Sequence, residues 1–355
     1  MKNRRLKLLT LMLAMVLPLK WVQAQSYIPQ NGDELVASWP VADKGIKQTT
    51  DLAYIAQLID QGQYPGQSSQ SYGRAKALLK PFIEQTQFNP QAWYLWARVL
   101  QHQHHFEQAQ QALQRILNDD PTNINSWLLK ANIHLVSNQP QQAKQACLQL
   151  LGKADMLTVS TCALEASSYQ DKLLSSYQQL LAIKQQTNFD DLSTQLWVTQ
   201  ILADMAVRLN KLAEAAVLLD NQDLQKLPLS YLVQWADVQL SLNHHRQVLE
   251  QLGKVVQKNS FMDDALLLRL AIAEKRESSG QDTTWSSRFS RRVTLRELRQ
   301  DESHAADLAR FYMDVTPNPQ KAQYWAKMNW RDAKLVADKK LLERARLPET
   351  YHTVE

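Results

Sequence analysis

The sequence is short of the residues that most enzyme motifs require. Its eight glycines in 355 residues never assemble a phosphate-binding loop, no Gly-x-Ser-x-Gly elbow is present, and neither His-Glu-x-x-His nor paired Cys-x-x-Cys occurs. Hydrolysis and metal handling are left as minor readings, each needing a site built from scattered residues, and no cofactor is expected. Cysteine is limited to Cys147 and Cys162, too few for a disulfide-stapled scaffold. In an oxidising compartment the two can bond, and in a reducing one they stay thiols.

Long apolar runs are also missing. Leu8–Leu19 falls short of the about 20 residues a membrane span needs. It follows Lys2, Arg4, Arg5 and Lys7 and precedes Val22-Gln23-Ala24, the layout of a secretory signal over residues 1–24 with cleavage after Ala24. The expectation is an exported chain, soluble in the bacterial periplasm without stable membrane insertion; an uncleaved anchor is the alternative. The formal charge of +5 rests on this leader, which holds five basic residues (Lys20 is the fifth) and no acidic one, so the rest of the chain is neutral. Nucleic acid is therefore not an expected partner, because it calls for a basic face on the folded part.

What is abundant is helix former: Leu, Ala, Gln and Lys. The chain also repeats. From Trp93 it reads WYLWARVLQHQHHFEQAQQALQRILNDDP, and 34 residues later, from Trp127, WLLKANIHLVSNQPQQAKQACLQLLGK. Trp93, Trp96, Ala97 and Leu100 make one apolar stripe at helical spacing, and Ala109, Leu113, Ile116 and Leu117 make a second. Small Ala97 and Ala109 fall where two helices would cross closely. Such a hairpin has too little core to stand alone and must stack on its neighbours. Weaker copies include Thr199, Leu202, Ala203, Ala206, Ala215 and Leu219, then Leu232, Trp235, Ala236, Gln239, Val248 and Leu252.

Trp93, Trp96, Ala97, Leu100, Ala109, Leu113 and Pro121 fall on the spacings of the tetratricopeptide repeat (TPR), which the chain resembles. The runs SYGRAKALLKPF, LSYLVQWADVQL, ALLLRLAIAE and MNW further resemble a group of exported bacterial members of that family. The resemblance implies an all-α, right-handed solenoid of about seven stacked hairpins over residues 51–347. An extended lead-in (25–50) precedes it and a tail (348–355) follows. QGQYPGQSSQSYG reads as a surface loop inserted in the first hairpin, and Arg331 to Arg346 as a charged capping helix.

The family's concave groove often takes a protein or extended peptide, which makes first-helix residues beside the packing stripe the candidates: Tyr94, Arg98, Gln101, Leu128, Asn132, Leu135, Gln200, Asp204, Arg208, Val233 and Asp237. An ordinary solvated face is the alternative. The family's chaperone-tail clamp is not supported, since Tyr94 and Leu128 stand where it needs lysine. Arg288, Arg292, Arg296 and Arg299 form a basic stripe that could meet an anionic polymer, as an accessory subunit of envelope assembly or polysaccharide export would; Glu297, Asp301 and Glu302 suggest a salt-bridged face instead. Cys147 takes the place of Leu113 on a second helix and Cys162 lies on the next first helix, so stacking makes them neighbours, as a disulfide or as two buried thiols. In LQHQHHFEQA, His104 and His105 read as the turn between two helices, with a weak metal site at His102 and His105 as the minor alternative.

Overall fold

The computed structural model describes residues 51–220, 223–258, 262–277 and 284–346. The leader with its Ala24 cleavage site, the lead-in and the tail lie outside the described residues. Among those described, 17 α-helices and no strand are present, all within one compact unit. They pair into eight hairpins: α1 (Leu52–Gln61) with α2 (Ser68–Ile83), α3 (Pro90–His102) with α4 (Phe106–Asp119), α5 (Ile124–Val136) with α6 (Pro140–Leu148), and α7 (Met156–Ser168) with α8 (Leu173–Gln186). The second half adds α9 (Leu192–Arg208) with α10 (Leu212–Leu219), α11 (Leu229–Ser241) with α12 (His245–Lys258), α13 (Asp264–Glu277) with α14 (Thr284–Leu298), and α15 (Ala305–Asp314) with α16 (Pro319–Asp332); α17 (Val336–Arg344) ends the stack. None of these helices is long and apolar enough to cross a membrane.

The hairpins share one local grammar. First helices open on Asp51, Asn89, Asn123, Asp155 and Asp191, each accepting a backbone N–H from the first turn and so satisfying a donor the helix cannot. They close on a residue with left-handed backbone: His104 (φ 61), Asn138 (φ 57), Asp171 (φ 58), Asn210 (φ 59) and Asn243 (φ 63). The next N–H then reaches back five residues, as in His105 to Leu100 (2.9 Å), Gln139 to His134 (2.8 Å), Lys211 to Ala206 (2.8 Å) and His244 to Gln239 (2.9 Å). This pattern terminates a helix and reverses the chain, which explains why the turn takes Asn, Asp or His in the same place.

Ala97 and Ala109 are fully buried where α3 crosses α4. The other flank of α3, through Ala92, Leu95 and Val99, packs on Ile55, Ile59 and Leu79 of the preceding hairpin. Each first helix thus works in two cores, and burial propagates from hairpin to hairpin. Further along, Glu274 of α13 accepts from Trp285 N (3.1 Å) and Ser286 N (2.7 Å), placing a buried carboxylate at the α14 N-terminus where the helix dipole favours it.

Two boundaries differ from the sequence reading. The inserted loop is shorter, because α2 already begins at Ser68; buried Tyr72 continues the stripe of Ala75 and Leu79, so SSQSYG is helical. The terminal charged segment is broken: α16 runs on to Asp332, and Asp338 accepts from Asn329 Nδ2 (2.8 Å) and Leu335 N (2.9 Å), which starts α17 afresh.

The solenoid also turns far enough to rest on itself. Gln63 O, in the turn of the first hairpin, accepts from Leu229 N at the start of α11 (2.7 Å), and Gly66 N donates to Asp263 Oδ2 just before α13 (2.6 Å). His104 meets His304, ahead of α15, at 5.5 Å between ring centroids, and Val136 O accepts from Lys334 N before α17 (2.9 Å). The turns of hairpins 1 to 3 therefore sit on the loops that open hairpins 6 to 8 and the last helix. The inserted loop supplies the first of these contacts.

Candidate partner-binding face

Consecutive first helices touch one another along the whole series, from α1 and α3 to α13 and α15, whereas no comparable contact joins consecutive second helices. First helices therefore line the inside of the curve. Tyr94, Arg98, Asn132, Asp204, Arg208 and Asp237 all lie on them, as does Gln101, though the surroundings differ sharply along the chain.

In hairpins 1 to 3 the wall is lightly tied. Arg98 reaches back to Asp60 Oδ1 (2.8 Å), Tyr94 is half-buried between two hairpin cores, and Asn132 is exposed. Gln101 lines a cavity of about 380 Å³ with His104, Val136, His304 and Asp307. Leu135, by contrast, is buried in the α5–α6 core and does not line the groove.

Hairpins 4 and 5 carry a bonded cluster. Arg208 donates to Asp204 Oδ2 (2.7 Å), Ser168 O (3.0 Å) and Ser168 Oγ (2.6 Å), closing the C-terminal end of α7 with a cation. Its guanidinium lies 4.0 Å from the Tyr169 ring centroid. Glu165 sits in the same cluster, where burial first, and the neighbouring Asp204 charge second, push its carboxyl up to about 8 against the pull of Arg208.

In hairpins 6 to 8 the inside of the curve is closed by charge. Asp237 accepts from Arg269 (Nε 3.1 Å, Nη2 2.9 Å) and from Arg310 (Nη1 3.1 Å, Nη2 2.8 Å), while Arg269 Nη1 also donates to Asp307 Oδ1 (2.8 Å). Burial raises the Asp237 carboxyl, but the two guanidiniums and their hydrogen bonds outweigh it and hold the group well below the ordinary carboxylate range. Because α13 and α15 are both tied to this one carboxylate of α11, curvature is fixed here. Asp237 is a structural keystone with no free lone pair to offer a partner. Arg269, Arg310 and Asp307 escape sequence reasoning, although an arginine inside the run ALLLRLAIAE was the available signal: a guanidinium in an apolar helix needs buried carboxylates.

The basic stripe is largely self-neutralised. Arg292 and Arg296 both bond Asp264, Arg296 also pairs with Asp301 at 3.3 Å, and Arg288 lies over the Trp285 ring at 5.2 Å; Arg299 is exposed. Cys147 and Cys162 are joined, with 5.5 Å between their Cα atoms, stapling α6 to α7. His102 stacks on Tyr72 at 3.6 Å and 6°. Among the described residues no group of three or more His, Cys, Asp or Glu side chains could hold a metal ion.

An all-α solenoid of capped hairpins with a curved wall of first helices is a helical repeat fold. The model of the tetratricopeptide repeat family matches residues 68–133, α2 through most of α5, and hairpins of the same kind recur to the end of α16. Among solved structures the chain is similar to Pseudomonas aeruginosa pilF (17% identity, 67% of this chain and 96% of that one, TM-score 0.37). A tetratricopeptide repeat protein from Parabacteroides merdae is also similar (12% identity, 83% and 96% covered, TM-score 0.36), as is the Cut9–Hcn1 hetero-tetramer of the APC/C (11% identity, 85% and 57% covered, TM-score 0.45). No curated protein matches in sequence.

Proposed function

We propose that this protein is an exported scaffold that holds a protein or peptide segment against the inner wall of hairpins 2 and 3, by shape and a few polar anchors, without chemistry of its own. Tetratricopeptide repeats are in general protein-interaction modules. The observation that carries the assignment is the contrast along the wall: in hairpins 2 and 3 Arg98 makes one ion pair, to Asp60, and Asn132 is exposed, whereas Asp204 and Asp237, which hold the matching place in hairpins 5 and 6, are engaged by Arg208 and by Arg269 and Arg310. The leader-like residues 1–24 support an exported, periplasmic setting.

Affinity capture from envelope extracts, with quantitative mass spectrometry, tests this reading on the full chain. The wild type retains a protein that the Tyr94→Ala/Gln101→Ala/Asn132→Ala variant loses, while circular dichroism of the two stays equal. Equal retention by both, or no protein enriched by the wild type, overturns the assignment.

A further inference from the structure

The histidine-rich turn lies at the seam of the fold, beside the Gln101 end of the proposed wall. His102, His104 and His304 gather where the second hairpin meets the eighth, around a cavity of about 640 Å³ that also borders Tyr72, Lys76 and Arg331. His104 packs its ring on Phe106 at 5.4 Å and on the edge of His304 at 5.5 Å. The two rings come from residues 200 apart in sequence and touch only because the superhelix has closed on itself.

We infer that this seam is a pH-sensitive latch: the turns of hairpins 1 to 3 stay docked on the C-terminal hairpins while His102 and His104 are neutral, and undock as these two take up protons.

Four of the five carboxylates named around the seam are already engaged. Glu302 and Asp332 both bond Arg331 (2.9 and 3.1 Å). Asp338 takes Asn329 and Leu335 N, Asp307 takes Arg269, and Glu107 begins α4 beside the turn. The cations bordering the seam add to the repulsion: Lys76, which donates to Gln103 Oε1 (2.7 Å), Lys334, which lies over Trp330 (4.7 Å), and Arg331 itself. His105 lies next to His104 in the same turn. In the closed state desolvation, then His304 and His104, lower His102 to about 4; His104 is also lowered, by burial and then His304, against the pull of Asp332 and Asp338. His102 is the more enclosed, whereas His104 and His304 are exposed, so burial at His104 counts for little and most of the effect comes from His102. A neutral-favouring site of this sign holds the latch fully above about pH 6.5, and closure weakens by up to about tenfold per pH unit for each proton as pH falls toward 4.

The seam reports on itself, because Lys334 N is hydrogen-bonded to Val136 O only when it is shut. Hydrogen exchange on the full chain, at pH 7 and pH 5, gives the protection factor of that amide relative to Ala215 N in α10, whose bond to Lys211 O is internal to its hairpin. The wild-type ratio falls about tenfold at pH 5. In His102→Gln/His104→Asn/His304→Asn it stays constant. Asn suits positions 104 and 304, since both backbones are left-handed (φ 61 and 55) and asparagine fills the matching place in three other hairpins. A pH-independent wild-type ratio, or an undiminished fall in the triple variant, overturns the latch. Should the triple variant lose its helical signal, His102→Gln alone decides: a smaller fall supports the latch, and an unchanged one overturns it. Gly66 N is not used as the reporter because its acceptor, Asp263, is itself raised by burial. The latch does not depend on any partner, so its failure and that of the scaffold reading are separable.

Discussion

Removing the Asp237 carboxylate is the sharpest perturbation of the fold. Arg269 is 6% exposed and Arg310 20% exposed in their side chains, and both direct two nitrogens at Asp237. Asp237→Ala leaves Arg269 with Asp307 and Ala265 O, and leaves Arg310 without either acceptor. Breaking a buried pair from one side costs about 3–5 kcal/mol. The Asp237 side chain is 35% exposed and Arg269 keeps one carboxylate, so solvent and the surviving partner reduce this to about 2–3 kcal/mol, or about 5–10 °C in melting temperature for a domain of this size. Differential scanning calorimetry at pH 7 reads the loss, and hydrogen exchange localises it to α11, α13 and α15. Because the carboxyl is held below its ordinary value, the contribution is complete above about pH 4 and is lost only as pH falls further. A cycle with Arg310→Ala shows coupling above about 1 kcal/mol. If Asp237→Ala melts within about 1 °C of the wild type, the network does not hold the curvature and the argument fails.

Three further outcomes follow from the same structure. Cys147→Ser/Cys162→Ser opens a loop of sequence separation 15 and costs about 3 kcal/mol by loop entropy, read as a lower urea midpoint that reductant produces in the wild type and not in the variant. Glu165→Gln stabilises at pH 7.5 by about 1 kcal/mol after allowing for partial exposure, and does nothing at pH 4.5: the unfolded carboxyl ionises near 4.5 whereas the folded one waits until about 8, so the wild type loses stability across that window. Equal melting shifts at the two pH values would show that Glu165 is not held protonated. Gly66→Val, at φ 76, costs about 1–2 kcal/mol for forcing a branched residue into the left-handed region, with faster exchange at Gly66 and Leu229 amides; unchanged exchange would separate the inserted loop from seam closure.

The repeat was legible because its signals are local. Trp93 to Leu117 carries two stripes and a turn within one period, and each later copy needs only its own residues to be recognised. Sequence separation decided what stayed hidden. Gly66 meets Asp263 197 residues away, and nothing about a glycine after a proline or an aspartate before a helix announces the other. The same distance concealed the roles of Asp237 and His304. Position on a first helix made Asp237 a candidate for partner binding, but its commitment depends on Arg310 at a separation of 73 residues. His104 was legible as a turn residue and not as a seam residue, since the turn's requirement for a left-handed backbone is local and its packing is not. The boundary of α2 was obscured by glycine and serine, whose helix propensity is poor, with Tyr72 as the one local clue to the contrary.

The claim that the inner wall of hairpins 2 and 3 receives a partner is tested most directly by site-specific photocrosslinking in cells. A benzophenone side chain placed in turn at Tyr94, Gln101 and Asn132, with Gln111 and Gln114 of the second helix α4 as outer-surface controls, samples both sides of the same hairpins. The account expects one shared adduct from the three inner positions and none from the controls; adducts from the controls, or none from the inner wall, would contradict it.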